Sequence, residues 1–134
     1  MLGLLEALRR LGATRIGLVT PFLDDVQAAT IRVLAEEGLE VVAERHLGDP
    51  GNFSFARFDE AIVETLTREV AAAPGVQAVA IVSTNLRGAR PAAVVEAALG
   101  LPVLDTGATA LWAALRRAGV PPDGVKGWGR LFQL

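Results

Sequence analysis

A chain of 134 residues, 51 % hydrophobic and 21 % charged, has the size and composition of one compact domain with its own core, which argues against disorder. Its net charge of −2, with 13 basic residues scattered along the sequence, offers no footprint for nucleic acid. It contains no cysteine, which removes disulfides, thiolate catalysis and the usual zinc sites together, so neither a metal nor a cofactor is expected.

Leu2, Leu5, Leu8 and Leu11 recur at helical spacing, and Gly12 stops the helix they define. Glu6 interrupts what would otherwise resemble a signal peptide, and no apolar run approaches the ~18 residues that span a bilayer. A cytoplasmic chain without membrane contact is therefore expected. Arg15 to Val19 predicts a short apolar strand, and Asp24 to Glu37 a helix stopped by Gly38. Leu39 to Arg45 reads as a second strand. Asp59 to Ala73 reads as a helix with Ile62, Val63, Leu66 and Val70 on one stripe, ended by Pro74-Gly75. Gln77 to Val82 reads as a third strand, with the pattern of one buried on both faces. Arg90 to Leu99 follows as a helix with Pro91 in its first turn and Gly100 as its stop. Pro102 to Leu104 predicts a short fourth strand, and Thr106 or Thr109 a cap for a last helix carrying Leu111, Trp112 and Leu115. The tail PPDGVKGWGRLFQL reads as irregular.

Strands alternating with helices predict a single α/β domain over residues 1–134: a doubly wound, four-stranded parallel sheet with helices on both faces and the flavodoxin-like order 2-1-3-4. In that arrangement ligands bind at the carboxyl ends of the strands, where strands one and three diverge. Two segments converge there, Thr20-Pro21-Phe22 and Ser83-Thr84-Asn85, with Asp105-Thr106 as the nearest outer neighbour.

The second segment supplies hydroxyls, an amide and free backbone N–H groups, donors that suit a carboxylate or phosphate, and Arg87 or Arg90 would add charge. The competing reading is that these residues satisfy the turn and cap the next helix. TPFLDD after strand one has no glycine, so a nucleotide-binding loop is not supported. His46, the one histidine, lies just past strand two. Two strand spacings, roughly 10 Å, separate that strand from Ser83's, which argues against a Ser–His pair and for an exposed strand-end histidine. Asp24 and Asp25 read as helix N-terminal acids favoured by the dipole. Phe53, Phe55 and Phe58 fall in one loop, as a hydrophobic anchor or else as a lid or partner contact.

VSTNLRG, followed by VVEAALGLPVLDTGATALWAALRRAG and the tail GWGRLF, resembles the C-terminal half of aspartate/glutamate racemase superfamily enzymes. Within them it is most similar to the maleate cis-trans isomerase and arylmalonate decarboxylase branch. The opening ATRIGLVTPFLDDVQAATIRVLAEEGLEVV is similar to the start of that half. The resemblance implies a protein of two α/β halves facing each other, each giving one catalytic cysteine. It places Ser83 at this half's cysteine position, and Phe22 at the tyrosine of a Thr-Pro-Tyr motif that helps hold a substrate carboxylate. A serine hydroxyl is far less acidic than a thiol of pKa ~8.5, so activity of the isolated chain is not expected. The resemblance thus implies a crevice for a small dicarboxylate, lined by Thr20, Pro21, Phe22, Ser83, Thr84 and Asn85, and a homodimer in which a second copy imitates the other half. The GWGRLF tail is expected to need that partner. The alternative is one subunit of a split racemase, isomerase or decarboxylase whose other half is separately encoded.

Overall fold

The computed structural model describes all residues from Met1 to Leu134. Strand β1 (Arg15–Thr20) is central because almost every residue in it is apolar or small and buried. Ile16 and Leu18 face one core, and Val19 faces a second on the opposite side. Strand β3 (Ala78–Ile81) divides in the same way: Ala78 and Ala80 join the first core, Val79 and Ile81 the second. This two-sided burial is what a strand between helix layers requires. β2 (Glu40–His46) forms one edge and β4 (Val103–Asp105) the other, all pairings are parallel, and the order is β2-β1-β3-β4, as expected from the sequence.

Helices α1 (Leu2–Leu11) and α5 (Thr106–Arg117) cover the first face, where Leu4, Leu8 and Trp112 are fully buried; Leu34 of α2 (Asp24–Glu36) joins them. Helices α3 (Glu60–Ala71) and α4 (Ala89–Leu99) cover the second through Val63, Val70 and Val95. α3 lies directly on β1. A Cβ placed on Gly17 would stand 3.0 Å from Val70 Cγ2, so a larger residue here would make Val70 give way, and glycine lets the helix lie close. α1 and α4 end in left-handed glycines, Gly12 (φ 67°) and Gly100 (φ 69°), at the predicted stops. No helix is long and apolar enough to cross a membrane.

Three expectations need correction. Neither Thr106 nor Thr109 caps α5. Asp105 holds the extended backbone of a cap (φ −96°, ψ 141°), and its carboxylate accepts the Ala108 N–H at 2.9 Å. Thr106 is already helical and turns its hydroxyl to the Ser83 N–H, while Thr109 donates to the Thr106 carbonyl. Second, the tail, expected to be irregular, takes short ordered turns and packs on its own chain. It forms 3-10 turns at Pro122–Gly124 and Arg130–Gln133 and buries Leu131 and Phe132 in the α1/α5 core. The buried carboxylate of Glu96 holds it there, accepting the backbone N–H of Arg130 from the tail and that of Val103 (3.0 Å) from β4. Third, His46 is not an exposed strand-end residue. It is half-buried and paired through both ring nitrogens.

Candidate functional site

The parallel register aligns the carboxyl ends of the strands, with Thr20 opposite His46 and Val19 opposite Ile81. Thr20-Pro21-Phe22 and Ser83-Thr84-Asn85 therefore leave adjacent strands at one level. The loop after β2 joins them. Leu47, Asp49 and Gly48 N–H groups donate to the carbonyls of Thr20, Pro21 and Phe22 at 2.9–3.1 Å. Further along the same loop, the Asn52 carbonyl and side-chain oxygens accept from Asn85 Nδ2 at 3.3 and 3.0 Å. Asp49 knots this loop by accepting from the Ser54 hydroxyl and the Gly51 N–H, both at 2.7 Å, and these bonds lower its pKa. Phe55 is the loop's apolar anchor, buried with its ring 6.1 Å from that of Phe22; Phe58 is half-buried. Phe53 is left 83 % exposed at the rim.

Each predicted residue has a distinct role in this geometry. Thr20 is buried and its hydroxyl is committed inward: it donates to Gln27 Oε1 at 2.7 Å and accepts the Phe22 N–H at 3.3 Å. It shapes the crevice from behind rather than presenting a donor to it. Pro21 is also buried, and Phe22 is half-buried against Phe55. Ser83 is half-buried; its N–H is held by Thr106 Oγ1 at 3.1 Å, and its hydroxyl oxygen accepts the Asn85 N–H at 3.3 Å. No histidine, lysine or carboxylate side chain is hydrogen-bonded to Ser83 Oγ, so nothing present raises its nucleophilicity. Thr84 and Asn85 are exposed.

Sequence reasoning missed the polar chain behind the crevice. Gln27 Nε2 donates to Glu44 Oε2 at 2.7 Å. The same oxygen lies 2.8 Å from His46 Nδ1, and His46 Nε2 lies 2.8 Å from Asp24 Oδ1. The hydrogen bonds to Glu44 and then Asp24 raise the His46 pKa, because both ring nitrogens face carboxylates and only the imidazolium donates to both. A signal for Gln27 existed. It lies seven residues before the buried Leu34, on the inner stripe of α2.

A cavity of about 370 Å³ opens between the Thr84–Gly88 turn and the start of α5, with Asp105 in its wall. Burial raises the Asp105 pKa, opposed by the Ala108 and Gly107 amides that its carboxylate accepts. A larger groove, about 780 Å³, runs along the outer face of α4 between Arg87, Arg90 and Trp128.

The arylmalonate decarboxylase family model matches residues 2–132. The chain is 36 % identical over 129 residues to the arylmalonate decarboxylase of Bordetella bronchiseptica, covering 96 % of this chain and 54 % of that protein. It is 33 % identical over 134 residues to the maleate isomerase of Pseudomonas putida, covering 96 % of this chain and 51 % of that one. A liganded double mutant of arylmalonate decarboxylase superposes with a TM-score of 0.87 at 36 % identity, over 98 % of this chain and 56 % of the other. The Nocardia farcinica maleate cis-trans isomerase, as a cysteine-to-serine mutant with a covalently bound succinylcysteine intermediate, does so at 0.89 and 26 % identity, over 97 % and 53 %. The chain spans about half the length of the curated relatives it matches. With the family model matching residues 2–132 and the sequence 36 % identical to a member over 96 % of this chain, the protein belongs to the arylmalonate decarboxylase family.

Proposed function

We propose that this chain is a carboxylate-binding member of its family that does not turn over substrate by itself, and that it assembles as a homodimer across the crevice. The environment of Ser83 carries the reading. At the position where the resemblance puts a cysteine, the hydroxyl accepts a backbone N–H and has no base beside it. Proton abstraction next to a carboxylate needs a poised base, and this side of the crevice offers none. Binding is supported by the exposed Thr84, in the turn that leads into α4, while Asn85 holds that turn to the loop after β2 through Asn52. The relatives named for maleate, with one structure holding a succinylcysteine, support a small dicarboxylate as the ligand class. Assembly is supported by the half-length match and by exposed Leu23, Val26 and Phe53 on the segments that flank the crevice.

Amide shifts of Ser83, Thr84 and Asn85 on adding maleate or malate, with the mass in solution, test both parts. Saturable shifts and a dimeric mass are expected. Unchanged shifts at millimolar ligand remove the binding role. A monomeric mass that becomes a complex only with a separately encoded relative would favour a split enzyme instead.

A further inference from the structure

The groove along the outer face of α4 shares no residue with the Ser83 crevice. Its floor is the helix itself, at Ala93, Val94 and Ala97, and Trp128 of the tail stands as one wall. Val94 is 43 % exposed and Trp128 46 %, so an apolar surface stays open to water beside an aromatic ring. A second depression continues past Ala97 to Gly100 and Arg130, so the open face runs the length of the helix.

Charge is distributed unevenly along this face. At its start stand Glu60, Arg87 and Arg90, and none of the three side chains forms an ion pair within the chain. At its far end lies Arg130, whose Nη2 donates to the Gly100 carbonyl at 2.8 Å. Its Nε stands 3.5 Å from Glu96, a carboxylate already shared with two backbone N–H groups. Glu60 begins α3 on one flank of α4, and Arg130 belongs to the tail on the other. The acid and this arginine therefore occupy diagonally opposite corners of the face.

A two-fold axis through Ala93 exchanges those corners. Two copies facing each other along antiparallel α4 helices bring Glu60 of each against Arg130 of the other. The same pairing sets Arg90 over the negative C-terminal end of the opposing helix. Between these charges Val94 and Trp128 close over the alanines, whose small side chains let the two helices approach. A ligand of one sign would satisfy either Glu60 or the arginines; a second copy satisfies both. Area sets the strength. The 11 residues of α4 make ~16 Å of helix, a contact smaller than the ~800 Å² per partner of a standard interface. The association is weak and depends on concentration.

We propose that the α4 face is a self-association surface, on which a second copy docks antiparallel about a two-fold axis through Ala93, with Glu60–Arg130 pairs at its two ends. This contact is distinct from the one across the crevice, and the experiment separates them.

The test is sedimentation of the full chain between about 10 µM and about 1 mM, with amide spectra over the same range, a window that brackets a Kd of ~100 µM. The mass is expected to double once, and the Ala93, Ala97 and Trp128 indole N–H signals to shift with it. The crevice contact is read at Ser83, Thr84 and Asn85 instead. If that contact fails, the doubling runs from one chain to two rather than from two to four. Ala93→Glu, checked for retained fold by its amide dispersion, weakens the doubling at least ~tenfold. Glu60→Arg, on a different helix, weakens it severalfold, and added salt narrows its difference from the native chain. A mass constant over the whole range, a doubling that Ala93→Glu leaves intact, or growth beyond one doubling would each overturn the proposal.

Discussion

Thr20 Oγ1 donates to Gln27 Oε1 at 2.7 Å, and neither residue is open to solvent. This bond fixes the amide orientation of Gln27, whose Nε2 then faces Glu44, and it leaves the Thr20 oxygen to accept the Phe22 N–H. Thr20→Val removes the hydroxyl but keeps the shape, leaving Gln27 Oε1 buried and unpaired. A loss of about 1–3 kcal/mol in denaturant unfolding is expected, with Phe22 and Phe55 signals broadened. An unchanged midpoint would show that the Gln27 oxygen finds another partner.

The same chain ends on a pH-sensitive pair. The folded-state pKa of His46 is raised above its ordinary value of 6.5 by Glu44 and Asp24. A raised pKa means the native state holds the proton more tightly than the unfolded chain does. The stabilisation is therefore fully present below pH 6.5 and is lost as pH rises through the folded value. NMR titration of the imidazole should give a pKa above 6.5, and His46→Gln should flatten the fall in melting temperature across that window. A histidine titrating at or below its ordinary value would refute the pairing.

Glu96 joins the tail to the sheet by accepting the N–H groups of Val103 and Arg130. Glu96→Ala leaves a buried strand amide unpaired and releases the tail. A destabilisation of about 2–3 kcal/mol is expected, with proteolysis appearing first between Val120 and Arg130. Cleavage elsewhere, at native stability, would show that Leu131 and Phe132 hold the tail unaided.

The layer order was readable because β1 and β3 are apolar on both faces and α1 and α4 end in glycines that take left-handed backbone. Once four parallel strands are inferred, the positions of Phe22 and Ser83 follow from the sheet. Other features depend on register and distance in the chain. Gln27 meets Glu44 across 17 residues, and Glu96 meets Arg130 across 34; neither spacing has a local signature. A strand-end histidine is ordinarily exposed, and the pairing of His46 arises only because α2 brings Asp24 over the edge of β2. Asp105 stands in sequence beside two threonines that could cap α5, and only the course of β4 delivers its carboxylate to the helix end.

The central claim is that Ser83 in this setting is no substitute for a cysteine. The direct test is turnover of maleate and of an arylmalonate by the purified chain, beside Ser83→Ala and the double variant Ser83→Cys, Phe22→Tyr. General-base catalysis typically contributes ~10²–10⁴-fold, and the hydroxyl of Ser83, engaged only by the Asn85 N–H, has no base with which to supply it. The account predicts no detectable turnover by the native chain and no change on Ser83→Ala, with any gain confined to the double variant. Robust turnover by the native chain that Ser83→Ala abolishes would contradict it.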